Sequence, residues 1–93
     1  MTIDGQRQRR ALTAAEQALR ALEAGDGVRA GIAAAEAAAL DQVGAYRGFV
    51  DAVAVGIGDL EIGGVVTAPS WATIAAVLGP GPLGAWAATR GSS

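Results

Sequence analysis

Three acidic residues near the middle of the chain, Asp51, Asp59 and Glu61, are the side chains best suited by type to do chemistry. A pair of carboxylates can divide acid and base roles between them. The spacing works against this. Positions two apart, as in Asp59 and Glu61, face away from each other on a helix. Asp51 and Asp59 lie two turns apart and can share a face, but a shared acidic face is usually a solvated one. An accessory enzyme subunit built on these carboxylates is kept as an alternative.

The other routes to catalysis are closed by composition. The sequence contains no Cys and no His, which removes thiol nucleophiles, imidazole proton transfer, disulfides and the usual zinc ligand sets. A serine triad needs a base that this chain lacks. Gly56-Ile57-Gly58 and Gly79-Pro80-Gly81-Pro82 are glycine-rich, but a phosphate loop needs free amides and usually a lysine. Proline removes two of those amides and the chain has no Lys. No catalytic activity, cofactor or metal is expected.

Recognition is the remaining chemistry, and it falls to the few large side chains. Only four residues are aromatic, Tyr46, Phe49, Trp71 and Trp86. A groove lined by Tyr46, Phe49 and Val50 could take a partner helix or peptide. Trp71 and Trp86 are expected as the largest wedges of the core, packed on the third helix near Tyr46 or Phe49. The C-terminal part could add an exposed apolar surface, with a second copy of the chain as the simplest occupant. The expected partner-binding set is therefore Tyr46, Phe49, Val50, Trp71 and Trp86.

Charge narrows the partner. The net charge of −2 does not suit a nucleic-acid-binding domain. Gln6-Arg7-Gln8-Arg9-Arg10 is basic but has no interleaved aromatic for base stacking. No apolar run follows it as in a secretory signal. Every basic residue is Arg and Asn is absent, the composition of a GC-rich bacterial genome. A cytoplasmic location is expected. The uncharged segment 62–89 is long enough to cross a bilayer. Pro69, Pro80 and Pro82 interrupt it, which would leave backbone groups unsatisfied in lipid. A membrane component using 62–89 stands as a second alternative.

The elements that must position these residues are helical. Alanine supplies nearly half of the 52% hydrophobic content, and it has the highest helix propensity. Thr13-Ala14-Ala15-Glu16 reads as a capping box that starts a first helix, with Ala15, Ala18, Leu19 and Leu22 on one face. Gly25 ends it and Asp26 caps a second helix carrying Val28, Ile32, Ala35, Ala39 and Leu40. A third helix is expected from Gln42, with Val43, Tyr46, Val50, Val53, Ile57 and Leu60 as its stripe. Gly56 and Gly58 leave 53–66 open between helix and strand. After Gly63-Gly64, a short helix capped by Thr67 or Ser70 runs through Trp71, Ile74 and Leu78. A last one begins at Pro82 and carries Leu83, Trp86 and Ala87.

Gly25-Asp26, Ala30, Ala37 and Leu40-Asp41 together resemble the tetratricopeptide repeat. In that family a helix ends at a Gly-Asp turn, with small residues five and twelve positions after the glycine. The offsets from Gly25 to Ala30 and to Ala37 match. The likeness covers about 16–53; Gln42 stands where the repeat usually has Pro, and Gly27 where it has an aromatic. The resemblance implies a helical hairpin that binds protein partners, and a repeat of this kind needs neighbours to bury its face.

The expected fold is thus all-α, a small bundle of four or five short helices. A hairpin, Thr13–Leu40, is closed by C-terminal capping helices. Residues 1–11 are expected as a disordered basic tail, 12–90 as one helical domain and 91–93 as a flexible tail. The expected function is a protein–protein interaction module or adaptor, self-association included, with no nucleic-acid or membrane partner.

Overall fold

In the computed structural model, which describes residues 3–92, five helices follow one another: α1 (Ile3–Ala24), α2 (Gly27–Leu40), α3 (Phe49–Gly63), α4 (Ala68–Leu78) and α5 (Pro82–Gly91). No strand occurs among the described residues, so the all-α expectation holds. The segment left open between helix and strand is helical as far as Gly63.

Alanine decides how the first two helices meet. Ala11, Ala14, Ala15, Ala18 and Ala21 line one face of α1, and Ala30, Ala33, Ala34 and Ala37 line the facing side of α2, all of them buried. Faces this smooth let two helices approach closely, so backbone and methyl groups make the contact. The turn between them is short. Gly25 takes a left-handed conformation at φ 81°, and the Asp26 side chain accepts a hydrogen bond from the Arg29 amide at 3.0 Å.

The larger side chains sit where a third layer closes on this hairpin. Leu19 and Leu22 of α1, Phe49 and Val53 of α3 and Ile74 of α4 are the largest fully buried residues. Helix α3 packs on both α2 and α1, α4 packs on α3, and α5 packs on α4. Gly84 and Ala87 of α5 are buried. A Cβ added at Gly84 would collide with the carbonyl oxygen of Gly79, and one at Gly91 would lie 3.1 Å from the Ala72 amide nitrogen. Glycine and alanine thus set the spacing of the C-terminal pair as well.

Three boundaries differ from the sequence reading. Of residues 1–11, expected as a disordered tail, 3–11 belong to α1, which is helical from Ile3; Met1 and Thr2 lie outside the described residues. Thr13 does not start a helix. It sits inside one, with its hydroxyl donating to the Arg9 carbonyl at 3.1 Å, the bond a mid-helix Thr makes when it is not a cap. The early turns of α1 are held by tertiary contacts that no local signal reports. The Arg7 guanidinium donates to the Ala39 carbonyl at 3.0 Å, and the Gln8 amide group bonds the 41–46 turn. Likewise α3 starts at Phe49 rather than Gln42, and Val43 of the expected stripe is exposed. At the other end, Gly91 closes α5 and Ser92 follows as its cap; Ser93 is outside the described residues.

The cause of the late start of α3 is Asp41. Its carboxylate accepts hydrogen bonds from the amides of Val43, Ala45 and Tyr46 at 3.0–3.2 Å and from Gln8 Nε2 at 3.0 Å. Side-chain acceptance of three backbone donors within the next five residues favours a turn over a helix. Partial burial alone would raise the Asp41 pKa. The Tyr46 amide, Gln8 and the amides of Ala45 and Val43 outweigh it, and the value lies below the ordinary carboxylate range. A lowered folded-state value means that this group's stabilisation is complete above its unfolded pKa. It is lost as pH falls through the folded value. Replacing Asp41 by Ala is expected to cost about 1–2 kcal/mol at neutral pH. Asp41→Asn, which binds no proton, should narrow the difference in melting temperature between pH 7 and about pH 3. A difference equal to that of the unaltered chain would contradict this role.

Candidate functional site

The residues expected to bind a partner divide into two groups. Phe49, Trp71 and Tyr46 are core residues, at 0%, 6% and 8% exposure. The Tyr46 and Phe49 rings pack on each other with centroids 5.9 Å apart. Burial, with Asp41 and Glu16 nearby, pushes the Tyr46 phenol further from ionisation. Of the set, Val50 is exposed and Trp86 half-buried. Of the groove foreseen around Tyr46, Phe49 and Val50, Phe49 is withdrawn into the core, and what remains is a groove of about 410 Å³ bordered by Tyr46 and Val50 with the charged Asp41, Arg47 and Asp51.

The indoles were expected on the third helix, and Trp71 borders a cleft with Leu60 of α3 and Leu22 of α1. The two indoles pack on each other, edge to face, with centroids 5.5 Å apart and planes at 78°. Trp86 borders a cleft of about 230 Å³ whose other walls include Glu16, Leu19 and Arg20 of α1. The Arg90 guanidinium lies over its ring, 3.3 Å from the centroid, and pairs with Glu23 of α1. This cation–π and ion-pair contact ties α5 to α1.

The three acids do not converge as a carboxylate pair. Asp59 accepts from the amide and hydroxyl of Thr67 at 3.0 and 2.8 Å. The Ser70 hydroxyl, then the Thr67 amide and hydroxyl, hold its carboxyl below the ordinary range. Thr67 is the N-cap residue of α4, one of the two the sequence reading offered, but its side chain caps no helix amide and is held by Asp59 instead. Asp51 and Glu61 are exposed. Among the described residues no three potential metal ligands cluster, and no helix is long and apolar enough to cross a membrane.

What the surface offers instead lies on α2. Of the run Val28, Ile32, Ala35, Ala39 and Leu40 expected on α2, the first four face outward and Leu40 packs against the core. Val28 is 78% exposed and Ile32 66%, and Ala35 and Ala39 are exposed too. Helix α2 therefore has two apolar stripes on opposite sides, and α1 took the one made of alanine. The outer stripe adjoins Gly31 on one flank, where Ile57 Cδ1 of α3 lies 3.5 Å from the Cβ position of Gly31; towards its other end, the groove between Ala38 and Val50 is lined as well by Asp41, Arg47 and Asp51. A groove of about 380 Å³ marks one end, between Val28, Ile57 and Glu61. On the other flank of the stripe, Arg29 and Glu36 stand one heptad apart. Periodicity revealed both stripes; which of them turned inward depended on the partner helix.

A contiguous apolar surface of this kind, edged by charge, can do one thing chemically, which is to exclude water against another apolar surface. The sequence matches no protein-family model, and comparison with curated proteins and with solved structures finds no significant similarity.

Proposed function

We propose that this chain is a non-catalytic protein–protein interaction module whose contact surface is the outer face of α2 and the adjoining part of α3. The observation that carries this reading is the exposure of Val28 and Ile32 in one stripe with Ala35 and Ala39. Isolated apolar residues on a surface need no explanation, but a continuous stripe with neighbours from a second helix favours an interface. The tetratricopeptide-like character of the hairpin is part of the proposal. The Gly25-Asp26 turn and the buried Ala30 and Ala37 support it. The non-helical connection 41–48 departs from it.

The test is site-specific photo-cross-linking in the native host. A photoreactive residue at position 28, 32 or 50 is expected to give a discrete adduct. The same residue at Thr73, exposed on α4, is expected to give none. Adducts at Thr73 alone, or at no position, would end the reading.

A further inference from the structure

From the charges beside the apolar stripe we infer that the occupant of this face is a second copy of the chain, docked with the two α2 helices antiparallel. The proposal rests on the reading of the face as a contact surface and adds the identity and orientation of what covers it. Val28, Ile32, Ala35 and Ala39 follow a spacing of four, three and four, the seam of a two-helix packing. Outside that seam, Arg29 and Glu36 occupy the same flank one heptad apart, with opposite charge. A two-fold axis that reverses one helix against the other brings the same flank of both helices together. Arg29 of each copy then faces Glu36 of the other, in two equivalent pairs. A parallel arrangement sets this flank against the opposite one, where Gly31 and Ala38 offer no charge.

The opposite flank is complementary in a second way. Gly31 and Ala38 are small, so the partner's seam residues can reach across to Ala54 and Ile57 of α3. Arg29 has one competing contact, an exposed pair with Asp26 on its own helix at 3.7 Å. An exposed pair at that distance is easily exchanged for an intermolecular one.

The purified full chain is tested by sedimentation equilibrium from micromolar to about millimolar concentration. The unaltered chain is expected to form a dimer, and Ile32→Asp a monomer. Arg29→Glu and Glu36→Arg should each weaken the dimer by about tenfold or more, because each faces like charges across the seam. The double variant should return to within a few-fold of the unaltered chain. Neither reversal threatens folding: an acid in the first turn of α2 and a base nearer its end both suit the helix dipole, and circular dichroism should be unchanged.

A chain that stays monomeric overturns the proposal. So does a dimer that survives Ile32→Asp. A dimer lost with Ile32→Asp but indifferent to the charge reversals overturns the antiparallel arrangement. Cross-links from position 32 to a different protein, with a monomeric purified chain, would leave the contact surface standing and remove self-association.

Discussion

Gly84→Ala is expected to destabilise the chain by about 3 kcal/mol or more, at or beyond the usual upper range for overpacking. Helix propensity alone predicts the opposite sign, since alanine in place of glycine inside a helix gains about 1 kcal/mol. The difference lies in what the added methyl meets. Its nearest neighbours are the carbonyl group of Gly79 and the carbonyl oxygen of Ala75. These are backbone atoms of the turn and of α4, and they cannot move aside by changing rotamer. Relief requires α5 to shift away from α4, which would also disturb the Trp71–Trp86 contact. Hydrogen exchange should show the loss concentrated in α4 and α5, with the α1–α2 hairpin less affected. Gly81→Ala serves as the control, because no atom lies within 4 Å of the Cβ position there. A Gly84→Ala chain that melts at or above the temperature of the unaltered chain would show that α5 is not held at this separation.

Removal of the Phe49 ring is expected to be comparably severe. Phe49 is wholly buried, and truncation of such a residue to alanine typically costs about 3–5 kcal/mol. The cost depends on how far the surroundings can collapse into the space. Here many neighbouring core residues are alanines, which have no side-chain torsion with which to fill it. Tyr46, packed at a tilt against the ring, also loses its partner. The expected cost therefore lies in the upper part of that range, a large share of the roughly 5–15 kcal/mol by which domains are stable. Phe49→Leu, which keeps most of the volume, should cost clearly less. Urea unfolding of both variants measures the comparison. Equal midpoints for the two would mean that the ring does not fill space that its neighbours leave empty.

The helices themselves were legible because their signals are local. Gly25-Asp26 marked the turn between α1 and α2, Gly63-Gly64 the end of α3, and Pro82 the start of α5. Where a distant residue settled the outcome, the sequence reading went astray. The first turns of α1 look like a polar tail until Arg7 and Gln8 find the end of α2 and the 41–46 turn. Asp41 looked like the last residue of a repeat; three of its four hydrogen bonds come from its own turn, and the fourth needs Gln8 of α1. The candidate surface was half legible. The stripe through Val28 and Ile32 was found, but periodicity alone did not say which side of α2 would face outward. The hairpin buried the alanine side because close approach of two backbones gains more contact than bulk does. Tyr46 and Phe49 were placed on a binding groove, and size in an alanine-rich core sends them inward instead, as it does Trp71, which was expected there.

The methyl-lined contact between α1 and α2 has a consequence for how this chain can change over time. An alanine side chain has no rotamers to lose on burial, so the first two helices come together without freezing side-chain motion. The same property leaves them no slack. A larger residue on either side has no flexible neighbour to displace and must push the helices apart. Variation tolerated on the outer side of α2 should therefore be wide wherever no partner covers it, while the inner side admits little beyond alanine, glycine and serine.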